Sequence, residues 1–154
     1  MKLKSRYDVE APIDAVCAEL VNFDQWERAA MRRGADVGRT DKLPAPGPGM
    51  TWFARFRYRG RDREATLRID RLETPTDIAF AVLSPLADAG IFIEMLELST
   101  RRTRLSMGID IRPKTLAAKL YVQSLRLAKA RVERKFQGRV SQFVLELEDR
   151  IRRR

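Results

Sequence analysis

The chain contains no histidine and only one cysteine in 154 residues. These two scarcities exclude Ser-His-Asp and Cys-His triads, the usual zinc ligand sets, histidine-ligated haem and any disulfide framework. No metal or cofactor is expected. Long apolar runs are also missing: nothing approaches the roughly 20 residues of a membrane span. The opening Met1-Lys2-Leu3-Lys4-Ser5-Arg6 lacks the apolar centre of a signal peptide, so a cytoplasmic location is expected. Negative charge is in short supply, with 21 Asp and Glu against 31 Lys and Arg and a formal net charge of +10. Such a balance attracts phosphate-bearing surfaces, although solubilising charge explains it equally well.

What is present suits one globular domain over residues 1–154, with 44% of residues hydrophobic. Leu3, Ser5, Tyr7 and Val9 alternate with Lys4, Arg6, Asp8 and Glu10, which predicts a half-exposed strand. Pro12 and Asp14 suit the first turn of a short helix carrying Ile13, Val16, Cys17 and Leu20. A second helical piece starts near Asp24, read as its N-cap, and ends at Gly34. A weak strand around residues 35–40 precedes the breaker cluster Pro44-Ala45-Pro46-Gly47-Pro48-Gly49, a loop of restricted flexibility.

From Met50 the period becomes two. Trp52, Ala54, Phe56 and Tyr58 share one face, and Phe53, Arg55, Arg57 and Arg59 the other. A hairpin at Gly60-Arg61-Asp62 returns a strand with Ala65, Leu67 and Ile69 on one side. Further strands are expected over 78–83, 91–98 and 104–111, with a loop at 85–90. From Thr115 onward, apolar residues recur at steps of three to five, which predicts one long helix with its bend at Gly138.

Four pieces of sequence carry a family resemblance: Val9-Glu10-Ala11-Pro12-Ile13-Asp14-Ala15-Val16, the aromatic pair Phe23 and Trp26, Gly47-Pro48-Gly49-Met50-Thr51-Trp52, and Thr103-Arg104-Leu105. In this order and spacing the whole chain resembles the START, Bet v 1 and polyketide-cyclase (SRPBCC) superfamily. The resemblance implies an α+β helix-grip fold: a curved antiparallel sheet of about seven strands, two short helices after the first strand, and a long C-terminal helix. It also implies an apolar or amphipathic ligand held between sheet and helix, and no universal catalytic set.

A curved sheet cannot close on one straight helix, so the concave face either fills with large side chains or leaves room for a ligand. The expected lining is Trp52, Phe56, Tyr58, Leu67, Ile69, Phe80, Met107, Ile109, Leu120, Ser124 and Ala128, although stripes at this spacing also make ordinary core. The expected partner is an apolar small molecule or lipid. Cyclase or dehydratase chemistry and a regulatory protein-binding module are the alternatives.

Cys17, on an apolar stripe, reads as a buried inert thiol. Alternation sets Glu94 and Glu97 on opposite faces, so one acid is expected inside unless a bulge intervenes. Tyr58 and Tyr121 offer hydroxyls to a ligand or form core with wet tips. Arg55, Arg57, Arg59, Arg61 and Arg63 are expected to line the face opposite Trp52, either as solvated charge or as peripheral contact with an anionic membrane. Nucleic acid is not an expected partner: aromatics do not interleave with these arginines, and no helix-turn-helix, RNP or zinc-finger signature is present.

Overall fold

In a computed structural model, all of residues 1–154 are described. The strand β1 (Lys2–Val9) leads into α1 (Ile13–Leu20) and α2 (Phe23–Arg32). Six strands follow: β2 (Asp36–Arg39), β3 (Thr51–Tyr58), β4 (Arg61–Glu73), β5 (Asp77–Leu83), β6 (Ala87–Ser99) and β7 (Arg102–Pro113). The chain closes with α3 (Leu116–Leu127) and α4 (Lys129–Arg152). All seven strands form one antiparallel sheet in the order β1-β7-β6-β5-β4-β3-β2. The first strand thus returns beside the last, at the edge opposite the short β2.

Register fixes which side chains share a face, because residues paired across an antiparallel ladder point the same way. One row runs Trp52, Leu67, Val82, Ala89 and Ile111. The next runs Ile69, Phe80, Ile91, Ile109 and Leu3. Between Ile69 and Arg71 the register with β5 shifts, and a shift of this kind bends a strand and increases its twist. The sheet therefore curves toward the side that carries the helices.

The main core occupies one end of that inner face. Val9, Ala11 and Leu105 meet Val16, Cys17 and Leu20 of α1, with Val140, Val144 and Leu147 of α4 closing over them. Each valine and leucine among them contributes about 1.5–3 kcal/mol by leaving water. A smaller cluster joins Phe23, Met50, Trp52 and Ile69. The Trp52 indole donates to Glu27 Oε1 at 2.6 Å, tying β3 to α2. Glu19 of α1 is only 2% exposed and pairs with Arg154, so the buried carboxylate has a cation close by.

The C-terminal helix differs from expectation. It breaks at Ala128, where φ is −109° and ψ 33°, and Gly138 lies inside regular helix. No local breaker marks the site, since Arg126-Leu127-Ala128-Lys129 are all good helix formers. Tertiary packing decides: α4 lies against β1 and α1, whereas α3 touches β7. At 1.5 Å per residue the 24 residues of α4 span about 36 Å, close to the reach of a 12-residue strand.

Three local readings also change. Asn22, not Asp24, caps α2, its Oδ1 accepting from Gln25 N–H. The 85–90 loop is shorter than expected, because β6 begins at Ala87, paired with Pro113. The β3–β4 turn is Arg59-Gly60, both at positive φ (53° and 74°), with Tyr58 paired to Arg61. That is the geometry of a two-residue hairpin turn whose twist matches its strands.

Candidate functional site

Moving the hairpin turn by one residue reverses the predicted side for two arginines. In the observed register Arg61 pairs with Tyr58 and Arg63 with Phe56, so both sit on the inner face, and Asp62 and Glu64 oppose Arg57 and Arg55 on the outer one. The expected five-residue line of outward arginines is therefore shorter. Arg55 and Arg57 face water as predicted, as does Arg68. Sequence reasoning missed Arg61 and Arg63 as inner residues by carrying the outward alternation of β3 through the turn, although alternation back from Ala65 and Leu67 places both on the inner face.

The end of the inner face near this hairpin is only partly covered. Leu67, Phe80, Val82, Ala89, Ile91, Ile109 and Ile111 are half-buried there, in contrast to the closed cluster under α4. Phe56 and Tyr58 are more open still, at 37% and 52% exposure. Opposite them stands α3, held at its start by Thr115, whose hydroxyl accepts from Ala118 N–H at 3.1 Å. Such a cap is worth about 1 kcal/mol. Only Val122 of α3 is buried, while Leu116, Leu120 and Leu127 remain exposed. The incompletely covered space between the open half of the sheet and α3 forms a cleft whose apolar wall is the sheet, since Leu116, Leu120 and Leu127 lie about 120–160° around the helix from the buried Val122.

The eleven expected lining residues separate into groups. Trp52 and Ile69 are buried in the smaller cluster at the inner boundary of the cleft, with Leu67 and Phe80 packed against it. Phe56 and Tyr58 stand at its open end. Leu120 and Ser124 are exposed on α3, and Ala128 is half-buried at the helix junction. Met107 and Ile109 belong to a groove of about 830 Å³ beside β1 and β7, which also takes in Leu3, Ser5, Tyr7, Phe92 and Gln137. Its lining draws on both faces of β1, the edge strand, so this groove runs along the edge and not through the interior.

Polar groups are sparse inside. Glu94 and Glu97 are both exposed, so neither acid enters the interior. The Tyr7 hydroxyl donates to Gln137 O at 3.1 Å. The Tyr121 hydroxyl accepts from Arg59 Nη2 at 2.7 Å, and the Arg59 guanidinium stands 4.9 Å from the Tyr121 ring centre and 5.4 Å from that of Tyr58. This contact bridges the hairpin tip to α3. Burial, with Asp14 adding to it, pushes the Cys17 thiol up, away from the reactive thiolate, and the thiol is sealed in the main core. No group of three or more Cys, Asp and Glu side chains is arranged to hold a metal ion.

No protein-family model matches the chain, and no curated protein matches it by sequence. Solved structures do match. The Zhui aromatase/cyclase from Streptomyces sp. R1128 superposes with a TM-score of 0.69 at 18% identity, over 98% of this chain and 95% of that one. A START superfamily protein from Mycobacterium smegmatis gives 0.58 at 14% identity, over 92% and 98%. This is the helix-grip fold. Ara h 8.0201 shares it with a TM-score of 0.61 at 12% identity, over 95% of this chain and 98% of that one. The START and Bet v 1-like architecture thus covers the chain nearly end to end.

Proposed function

We propose that the protein binds an apolar small molecule or lipid without changing it covalently, in the cleft between the open half of the sheet and α3. The observation that carries this reading is the half-buried apolar surface of Leu67, Val82, Ala89, Ile91, Ile109 and Ile111, which the helices leave without a full cover. Leaving that much apolar surface in contact with water forfeits about 25 cal/mol per Å² that burial would return, and a ligand restores it.

The aromatase/cyclase neighbour raises the enzyme alternative. Cyclase or dehydratase chemistry needs an acid or a free tyrosine poised within the pocket. Here Glu94 and Glu97 are exposed, the hydroxyls of Tyr7 and Tyr121 are already engaged, and the one free tyrosine hydroxyl, that of Tyr58, stands at the 52% exposed rim with no acid beside it on the inner face. The carrier reading is therefore favoured. A purely protein-binding module would have a closed interior, and the open half of the sheet argues against one.

The neutral fluorophore N-phenyl-1-naphthylamine tests the reading. It is expected to brighten on binding, and Ala89→Phe, which fills the cleft between Val82 and Ile111, is expected to weaken it about tenfold. Overpacking costs about 1–3 kcal/mol, so folding of the variant is checked by thermal melting. No binding by the unmodified protein, or unchanged affinity in the folded variant, overturns the reading.

A further inference from the structure

We propose that the cleft takes an amphiphile whose head group is a carboxylate, received by the guanidinium of Arg63; this rests on the carrier reading above. Arg63, half-buried, projects from the inner face beside Phe56, and its guanidinium has no hydrogen-bond or ion-pair partner in the protein, its Nε being shielded from water as well. A shielded donor without an acceptor marks a place where a ligand oxygen can supply one. The acids nearest in register, Asp62 and Glu64, lie on the opposite face of the hairpin and cannot supply it.

The surrounding charge is one-sided. The inner residues at this end of β3 and β4 are Ala54, Phe56, Tyr58, Arg61, Arg63 and Ala65, with no acid among them. Helix α3, LAAKLYVQSLRL, contains none either. The walls that would hold an apolar chain therefore carry only positive charge, and that charge gathers at the open end. An apolar ligand with an anionic terminus is complementary to both properties: its chain lies along the half-buried leucine, valine and isoleucine surface, and its head reaches Arg63.

Carboxylate chemistry fits better than a phosphate monoester. The Nε and neighbouring Nη of one guanidinium form a planar fork that matches two carboxylate oxygens. A group of nearly twice the charge needs more donors, and Arg59, the next cation, is already committed to Tyr121. Arg61, exposed at the rim, adds long-range attraction without fixing geometry.

Calorimetric titration at pH 8 with dodecanoate, dodecan-1-ol and dodecyl phosphate separates these claims. The unmodified protein is expected to bind dodecanoate at least tenfold more tightly than the alcohol, and no less tightly than the phosphate. Arg63→Met is expected to bring acid and alcohol to parity, and Arg63→Lys, which keeps the charge and loses the fork, is expected to fall between. Equal binding of acid and alcohol by the unmodified protein overturns the proposal without needing any variant to fold. Tighter binding of dodecyl phosphate overturns the carboxylate assignment, and an undiminished acid preference in Arg63→Met overturns the role of Arg63. The neutral fluorophore is run alongside. If it binds while acid and alcohol bind equally, the cleft stands and only the head-group inference falls; if neither fluorophore nor amphiphile binds, both readings fall.

Discussion

Asp41 shows how one side chain can order a segment that has no regular structure. Its carboxylate accepts from Arg39 Nε at 2.7 Å, from Leu43 N–H at 2.9 Å and from Thr51 N–H at 2.8 Å, so it clasps both ends of the Pro-Gly loop at the start of β3. These bonds, Arg39's first, hold the Asp41 carboxyl well below the usual carboxylate range. A group whose folded value is depressed stabilises the fold above its unfolded pKa, about 3.9, and loses that contribution as pH falls toward the folded value. Asp41→Asn is therefore expected to lower the melting temperature most at pH 5 and above, with the gap to the unmodified protein narrowing toward pH 2. Melts recorded across that range check this, and a gap independent of pH would count against the ionic clasp.

Among the elements, the two halves of the C-terminal helix have unequal support. Val140, Val144 and Leu147 anchor α4 in the main core, whereas α3 buries Val122 alone. Local opening follows buried contacts, so the amides of α3 are expected to exchange with deuterium at least tenfold faster than those around Val144. Equal protection would mean that α3 docks more firmly than its exposed leucines indicate. The same contrast explains what was legible in the sequence. Strict alternation in β1, β3 and β7 and the capping residue Thr115 are local signals, and the strands and helix start follow from them. The break at Ala128 is set by which neighbours α3 and α4 find, and no local signal records it. The inner position of Arg63 is legible, since it lies two residues before Ala65, but it is masked when the arginines of β3 and β4 are read as one continuous line. The apolar wall of the cleft and its charged end both follow from alternation, and only the helix break needed the tertiary structure.

On the scale of the whole molecule, the surplus of positive charge is unevenly compensated. On the outer sheet face Arg57 stands 3.8 Å from Asp62, and Arg55 pairs across the ladder with Glu64. On α4, Arg131, Arg134, Lys135 and Arg139 are exposed along one side of the helix. Each basic group near an anionic surface is worth up to about 1 kcal/mol. Replacing these four by glutamine is expected to reduce co-sedimentation with anionic vesicles at low salt more than replacing Arg55 and Arg57 does. An equal loss per charge removed would assign the adsorption to net charge alone.

The strand order has a final consequence for how the molecule behaves among its own copies. A sheet of seven strands that does not close into a barrel ends in two unpaired backbone edges, each able to template another chain. The β2 edge is four residues long, too brief to recruit a stable partner. The β1 edge is eight residues long and carries Lys2, Lys4 and Arg6 at alternate positions, with Asp8 of the same row already neutralised by Arg104 at 3.0 Å. A second copy offering the same edge would bring cation against cation, so crowding at high concentration is opposed by repulsion where hydrogen bonding would otherwise invite fibril growth.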